Sequence, residues 1–301
     1  MIVIYNHKYD KNIPLIERLY KDRFSTIYHL VPFYTGDREN VIPVYENSKY
    51  FQGYVAQGLN RFYNERFTHY FFVADDMILH PDINENNYFE YFNLDEKKSF
   101  ISDFFSIYKS DWFWPHTKDA VFFQVSQEGI EVKSELPDAV EAEKRLLKTG
   151  AINRPLQEEE PLKWKHLYGK LNRNLFYKKN RDPFLHWLND SIHKKRYSLT
   201  YPLAGSYSDI FIVSAQTVKT FGHYCGVFAA LKLFVEIALP TALALSSEAI
   251  VTESDLPIKG KPLWKEEINE YLSPYQADLE LLMKNFPDVL YIHPIKLSRW
   301  N

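Results

Sequence analysis

Apolar positions in the first quarter of the chain follow two alternating patterns. Short continuous apolar runs indicate strands that are buried on both faces. These runs are residues 2–5, 25–33, 41–45 and 69–74. Between them, apolar residues recur at helical spacing across 12–20 and 51–63. Strands that alternate with helices predict a parallel, doubly wound sheet.

The pattern of the remaining chain is less regular. Apolar runs predict further strands at 97–107, 120–125, 209–213 and 289–293. Helical spacing predicts an exposed helix over 138–148 and a long buried helix over 228–245. Residues 129–197 interrupt the alternation, and we interpret them as an insertion carried by a single domain that spans residues 1–301. The predicted fold class is therefore α/β, a mostly parallel sheet flanked by helices with an inserted helical segment.

The composition is sufficient for a complete hydrophobic core and argues against nucleic acid as a partner. Hydrophobic residues make up 46% of the 301 residues, so disorder is not expected. The formal net charge of -3 argues against bulk nucleic-acid binding, which requires a strongly basic face. The single cysteine, Cys225, cannot form an intramolecular disulfide, which fits a reducing compartment such as the cytoplasm.

We expect neither a signal peptide nor a membrane span. The first ten residues lack a basic start followed by a long apolar run. The most apolar stretch, residues 227–247, contains Lys232, Glu236 and Pro240, so we interpret it as buried in the protein. The expected location is cytoplasmic, and peripheral contact with the inner face of the membrane stays open.

The strongest chemical signal is a pair of acids at the end of an apolar strand. Asp75 and Asp76 directly follow the run 69–74. Adjacent like charges raise each other's pKa unless a cation or a hydrogen-bond donor offsets them. Doubly wound sheets bind ligands beyond the carboxyl ends of their strands, and carboxylates together with phosphate oxygens hold Mg²⁺. A divalent cation that bridges to a diphosphate would explain the pair; a solvated turn capped by Asp76 is the alternative.

Other polar residues stand out against apolar surroundings. Glu236 interrupts an apolar helix, where a buried carboxylate is either a general base or the partner of a Lys or Arg. His293 ends a late apolar run and either completes a metal shell or is an ordinary histidine. Ser208 and Asp209 precede a predicted strand and either line an acceptor pocket or form a local turn.

In this order, the features resemble the nucleotide-sugar glycosyltransferases of the GT-A fold, which is a Rossmann-like architecture. The resemblance is carried by the N-terminal α/β half and by Ala74-Asp75-Asp76 as a variant of the DxD motif. Glu236 matches the helix of the catalytic base, and His293 matches the C-terminal metal ligand. The resemblance spans most of the chain, although its motifs are short.

The acid pair departs from the family motif in one respect. A strict DxD motif would have its first acid at Val73 or Ala74, and neither residue is acidic. The resemblance implies that one acid contacts the metal, Mn²⁺ or Mg²⁺, and the other contacts the donor. We favour Asp76 for the metal and Asp75 for the donor, and the reverse assignment stays open.

The resemblance also implies a nucleotide position at the ends of the first two strands. Asn6 and His7 follow the first strand, where the family binds the base and ribose, and Asp37 follows the second. These residues fit by topology, and ordinary loop roles are the alternative.

The implied function is metal-dependent transfer of a sugar from a nucleotide-sugar donor to a hydroxyl of a glycan or lipid-linked acceptor, as in polysaccharide biosynthesis. Glu236 as the base on the acceptor side implies inversion at the anomeric carbon. The alternatives are a non-catalytic carbohydrate-binding or scaffold protein and a metal-dependent phosphotransferase. Phosphate-loop, dinucleotide-binding, Cys-x-x-Cys and zincin motifs are absent from the sequence.

A basic segment within the predicted insertion has two interpretations. Residues 162–181 include Lys163, Lys165, Lys170, Arg173, Lys178, Lys179 and Arg181. The segment either meets a phosphorylated or lipid-linked acceptor at a membrane surface or forms a solvated charged face.

Overall fold

The computed structural model describes residues 1–109, 113–127, 129, 134–168 and 178–300. The strands in these residues are β1 (Ile2–Ile4), β2 (Tyr28–Pro32), β3 (Val41–Val44), β4 (His69–Ala74), β5 (Ile78–Leu79), β6 (Lys98–Ile101), β7 (Leu162–Lys163), β8 (Arg196–Tyr197), β9 (Ile210–Ser214), β10 (Ala249–Val251), β11 (Lys261–Pro262) and β12 (Tyr291–His293). The helices are α1 (Ile13–Tyr20), α2 (Gln52–Phe62), α3 (Tyr88–Tyr91), α4 (Thr117–Val121), α5 (Ala139–Lys148), α6 (Lys178–Ile192), α7 (Val218–Ala230), α8 (Val235–Ser246), α9 (Glu266–Leu272) and α10 (Leu279–Lys284).

Seven of these strands form a central sheet in the order β10-β6-β9-β4-β1-β2-β3. The pairs β1–β2, β1–β4, β2–β3 and β10–β6 are parallel, whereas β9 runs antiparallel to both β4 and β6. Because β9 is reversed, its first residue lies at the edge where the other six strands end. The predicted α/β class with a mostly parallel sheet flanked by helices is confirmed.

Hydrophobic core covers both faces of the sheet, which explains why its strands read as continuous apolar runs. Alternate residues of β1 point to opposite faces, so that Ile4 and Val3 are buried in two different clusters. The Ile4 cluster contains buried residues of α2, α5, α7 and α8, and the Val3 cluster contains those of α1 and α10.

The predicted single helix over 228–245 is wrong. The chain ends α7 at Ala230 and begins α8 at Val235. Lys232 adopts a left-handed conformation with φ of 53°, and the Leu233 N–H donates to the Phe228 carbonyl at 3.0 Å. This six-to-one hydrogen bond is a Schellman cap, which terminates α7 although no glycine is present. None of the described helices is both long and apolar enough to cross a membrane.

The predicted strand at 120–125 is also wrong, because its first residues belong to α4. The Phe122 N–H donates to the Lys118 carbonyl at 3.1 Å, so local helical hydrogen bonds replace a strand ladder. Ala120, Val121 and Phe123 are nevertheless buried. The run is apolar because it packs against the core, and a short apolar run does not distinguish a strand from a buried helix.

The predicted insertion, residues 129–197, contains α5, α6 and the two-stranded ladder β7–β8. The predicted helix over 138–148 is confirmed as α5, whose N-cap Asp138 accepts a hydrogen bond from the Glu141 N–H at 2.9 Å. Residues 130–133 and 169–177, which include Lys170 and Arg173 of the basic segment, lie outside the described residues.

Candidate functional site

Acids from three separate parts of the chain lie at the carboxyl edge of the sheet. Asp75 and Asp76 directly follow β4, and Asp209 directly precedes β9. Because β9 is antiparallel to β4, Asp209 lies beside the end of β4, where its carbonyl accepts a hydrogen bond from the Ala74 N–H at 2.8 Å. Glu236 is the second residue of α8.

His293 connects two of these acids. It ends β12, which pairs with β5, and β5 begins two residues after Asp76. The His293 Nε2 lies 3.1 Å from Oδ1 of Asp76 and 3.5 Å from Oδ1 of Asp209. Burial alone would lower the pKa of His293, but the charge of Asp209 and the hydrogen bond with Asp76 raise it to about 9. A pKa near 9 favours the protonated imidazole at neutral pH, which places a positive charge between two carboxylates.

Asp75 has surroundings different from those of its neighbour. Its side chain is buried, and it accepts hydrogen bonds from the backbone of Asn6, two residues after β1, and from the side chain of Asn12. Burial and then the charge of Asp76 raise the pKa of Asp75 to about 7 despite those hydrogen bonds. The two acids thus face different groups, Asp75 toward β1 and Asp76 toward His293.

Glu236 lies in the first turn of α8 rather than in the middle of a buried helix as predicted. Burial and then the charge of Asp209 raise the pKa of its carboxyl to about 7, although the Trp114 side chain donates a hydrogen bond to it. The described residues contain no ion pair with Glu236, so the alternative of a buried Lys or Arg partner lacks support. A pKa near neutrality is suited to a general base.

A cavity of about 490 Å³ brings several of these residues together. Its wall includes Asp209, Glu236 and His293. The cavity also has an aromatic part. Tyr207 and Trp264 line it, and their ring centroids are 5.6 Å apart. The remaining lining residues are Ser102, Asp103, Glu253, Pro262, Leu263, Lys265, Ile268, Tyr291 and Pro294.

The sequence interpretation missed two acids of this cavity. Asp103 follows β6 and Glu253 follows β10, so both lie at the same edge of the sheet as Asp76. Glu253 accepts hydrogen bonds from the Tyr291 hydroxyl and from the Gly260 N–H. A rule that every polar residue after a parallel strand is a candidate would have found both acids.

Six of the nine residues predicted for the site lie outside the cavity wall. Asp76 contacts the lining residue His293, whereas Asp75 and Asn6 contact each other on the side of β1. The other three are His7, Asp37 and Ser208. His7 and Asp37 are exposed, and the His7 ring packs edge-on against Tyr9 at 5.6 Å. Ser208 is buried and its Oγ has no hydrogen-bond partner among the described residues. Its neighbours Tyr207 and Asp209 face the cavity instead. A loop adjacent to a site therefore contributes alternate residues to it.

Two possible ligands of a divalent cation meet at His293. In the described part of the chain, no three His, Cys, Asp or Glu side chains are arranged as a ready metal shell. Asp76 and His293 nevertheless bring a carboxylate oxygen and an imidazole nitrogen within 3.1 Å of each other. Carboxylate oxygens suit Mn²⁺ or Mg²⁺, and imidazole is a common ligand of divalent transition metals. In the metal-free protein the protonated imidazole supplies a positive charge among these acids. The pair offers two possible ligands, and a cation there would have to displace the proton of the imidazole.

Comparisons of the chain with protein-family models, with curated proteins and with solved structures find no match. The chemistry of the site itself therefore has to indicate the function. It combines a carboxylate–imidazole pair, a carboxylate of nearly neutral pKa and an aromatic wall around one cavity.

Proposed function

We propose that this protein is a metal-dependent glycosyltransferase of GT-A type, which moves a sugar from a nucleotide-sugar donor to a hydroxyl of a glycan or lipid-linked acceptor. One observation carries the proposal. Asp209, Glu236 and His293 come from distant parts of the chain, yet they line one cavity at the carboxyl edge of the sheet, and Asp76 contacts His293 there. Doubly wound sheets bind ligands at this edge.

Asp76 and His293 would hold the metal, with Asp209 as a further oxygen ligand nearby. A divalent cation supplies positive charge that neutralises a diphosphate leaving group. Asp75, held by the backbone of Asn6, lies on the side of β1 and suits a hydroxyl of the donor. His7 and Asp37, on exposed loops after β1 and β2, would reach the nucleotide from outside the cavity.

Glu236 would act as the general base. Its carboxylate would take the proton from an acceptor hydroxyl while that oxygen attacks the anomeric carbon and the nucleoside diphosphate departs. A base near pH 7 combines a deprotonated population with useful basicity, and the raised pKa of Glu236 meets this condition. A base on the acceptor side, opposite the leaving group, favours inversion of configuration.

The aromatic wall supports a sugar as the acceptor. Trp264 remains 56% exposed although it lines the cavity, and Tyr207 packs against it. The C–H face of a pyranose packs well on an aromatic ring. The hydroxyl groups of the sugar then point away from the ring and can form hydrogen bonds with polar residues. Ser208 lies behind this wall and would act only through its neighbours.

The decisive experiment compares metal-dependent binding in wild type and Asp76→Ala. A thermal-shift screen of nucleoside diphosphates with and without Mn²⁺ identifies the base, because specific binding raises Tm. Calorimetry with that nucleotide should show loss of the Mn²⁺-dependent affinity in Asp76→Ala. The exposed Asp22→Ala, on the turn after α1, is the matched control and should bind like wild type. Unchanged affinity in Asp76→Ala would remove Asp76 from the metal site.

Product analysis then separates the proposal from its alternatives. Transfer or hydrolysis of the sugar, with release of nucleoside diphosphate, supports a glycosyltransferase. Release of phosphate without sugar would indicate a phosphotransferase. Sugar binding without any turnover would indicate a carbohydrate-binding protein that uses the same cavity.

A further inference from the structure

Helix α6 presents an apolar stripe to solvent. Leu185, Leu188 and Ile192 are 53%, 38% and 67% exposed, and their spacing places them on one side of the helix. The opposite side is packed, because Asp190 is 3% exposed there and accepts hydrogen bonds from the hydroxyls of Tyr168 and Tyr197. The stripe is therefore an additional apolar surface, not the inner side of the helix.

The stripe belongs to the most basic part of the chain. Residues 162–197 contain ten Lys and Arg and two Asp, a surplus of eight positive charges. Since the whole chain carries a formal charge of -3, the remaining residues carry -11. Of the two acids, Asp190 is already paired with Lys195 at 2.7 Å. The segment is thus a cationic region on an otherwise acidic protein.

Cationic side chains in the described residues gather next to α6. Lys163 of β7 lies opposite Arg196 of β8, and Lys165 and Lys194 are exposed nearby in the chain. None of these four side chains forms an ion pair with another described residue. Burial and then the charges of Lys165, Lys163 and Arg196 lower the pKa of His166, which reports their positive potential.

We propose that α6 and the β7–β8 ladder dock this protein on an anionic lipid surface. Leu185, Leu188 and Ile192 would enter the boundary between head groups and acyl chains, and the neighbouring cations would face the lipid phosphates. A helix with an apolar stripe beside clustered Lys and Arg has the composition of interfacial helices. Each cation near an anionic membrane contributes about fivefold to affinity.

The exposed side chains favour lipid over nucleic acid. Single-stranded nucleic acid binds through aromatic rings on which bases stack. Here the rings of Trp164, Phe184 and Trp187 pack on one another, while the exposed residues are aliphatic. Moving an aliphatic side chain from water into hydrocarbon is favourable in proportion to its apolar area. The same side chain offers no aromatic face on which a base could stack.

Vesicle co-sedimentation tests the proposal without reference to enzymatic activity. The full chain is mixed with vesicles of phosphatidylcholine alone or of phosphatidylcholine and phosphatidylglycerol in equal parts. We expect binding to the anionic vesicles only, weakened by added salt. The double variant Leu185→Asp/Ile192→Asp should lose at least about tenfold in affinity. Val140→Asp, at an 80% exposed site on α5, is the matched control and should bind like wild type.

A charge variant provides a second, independent test. Lys194→Glu/Arg196→Glu should lose at least about 25-fold in affinity, since it removes two cations and adds two acids. The control Lys144→Glu/Lys148→Glu makes the same charge change on exposed positions of α5 and should retain most of the binding. Circular dichroism confirms that all four variants are folded.

Several outcomes would overturn the proposal. These are equal binding to neutral and anionic vesicles, no vesicle binding, and a loss that is as large in the α5 controls. A dimer that Leu185→Asp/Ile192→Asp dissociates would assign the stripe to a second copy of the chain. A competition experiment distinguishes lipid from nucleic acid. If a single-stranded oligonucleotide releases the protein from the vesicles at a lower concentration than phosphatidylglycerol micelles do, the cations would be assigned to nucleic acid.

Discussion

Two groups of carboxylates in this protein have opposite electrostatic surroundings. Asp190, on α6, accepts hydrogen bonds from the hydroxyls of Tyr168 and Tyr197 at 2.7 and 2.6 Å and pairs with Lys195 at 2.7 Å. Burial alone would raise the pKa of Asp190, but these three donors hold it well below its usual value. Asp75, beside β1, and Glu236, at the cavity, have pKa values raised to about 7.

The difference shows what each carboxylate contributes. A buried acid whose oxygens all have donors stabilises the folded protein in its charged form. Burial and neighbouring acids make the charged form of a carboxylate unfavourable, so an ionised acid in such a place destabilises the folded protein. Groups with pKa values perturbed in this way concentrate at functional sites. The contrast predicts that substitution of Asp190 reduces stability, whereas substitution of Glu236 reduces activity.

The largest effect is expected for Glu236→Gln. Glutamine keeps the size and most hydrogen bonds of the side chain but cannot accept the proton, so kcat should fall by about 10²–10⁴-fold. Donor affinity should remain within about twofold, because the metal and diphosphate contacts proposed above involve other residues. Steady-state kinetics with the donor and acceptor identified by the screen measure both quantities.

The stability of the same variant supplies the control. Within the described residues Glu236 has no cationic partner to leave unpaired, so Glu236→Gln should unfold at or above the wild-type Tm. A loss of about 3–5 kcal/mol would indicate a buried ion pair and a structural role for Glu236. Wild-type kcat in the variant would end the general-base assignment and the argument for inversion.

The second effect is loss of stability in Asp190→Ala. Removal of the carboxylate leaves the hydroxyls of Tyr168 and Tyr197 without their acceptor, which should cost about 2–4 kcal/mol in the free energy of unfolding. Lys195 is 42% exposed, so its lost ion pair should add little. Urea denaturation measures the change. Asp182→Ala, at an exposed position of the same helix, should change stability by less than about 0.5 kcal/mol. Equal losses in both variants would contradict the contrast.

The sequence predicted the class of fold because the strands of the sheet are buried on both faces and leave continuous apolar runs. Asp75, Asp76 and Asp209 were also recognisable, since each borders such a run. Asp103 and Glu253 were missed, because their place at the cavity depends on strand order, which local pattern does not encode.

The position of Glu236 in its helix depends on a similar non-local effect. The sequence placed it in the middle of a long helix, because residues 228–245 contain no glycine to mark a cap. Lys232 occupies the left-handed position that usually belongs to glycine, and buried Leu233 completes the cap. Glu236 therefore lies in the first turn of α8 and lines the cavity. The start of this helix depends on tertiary packing, which the local sequence does not show.

The third effect concerns the dependence of stability on pH in the metal-free protein. The pKa of Glu236 is raised from 4.5 to about 7 on folding, so the folded state binds the proton more tightly than the unfolded state. Its contribution to stability is present below pH 4.5 and is lost as the pH rises through 7. Glu236→Gln should therefore gain about 1–3 kcal/mol relative to wild type across this window.

Asp190 gives the opposite sign in the same experiment. Its pKa is lowered on folding, so its contribution is present above the ordinary value of 3.8 and is lost as the pH falls below it. The difference between wild type and Asp190→Asn should consequently shrink in acid and stay constant from pH 5 to pH 8. Parallel pH profiles for the two variants, measured by urea denaturation, would refute the opposite assignment of the two acids.

The smallest effect is expected for Trp264→Ala, which compares an exposed ring at the cavity with rings that are packed near α6. Trp264 is 56% exposed, so its removal should leave Tm within about 2 °C of wild type. If an acceptor sugar packs on this ring, the KM for the acceptor should rise about three- to tenfold, because such a contact contributes about 0.5–1.5 kcal/mol. The KM for the donor should stay unchanged, and Trp264→Phe should recover part of the loss.

Tyr45→Ala is the control, because Tyr45 is 65% exposed after β3 and does not line the cavity. An acceptor KM that is equal in Trp264→Ala and in wild type would place the acceptor elsewhere, while the roles proposed for Glu236 and Asp76 would remain open to their own tests.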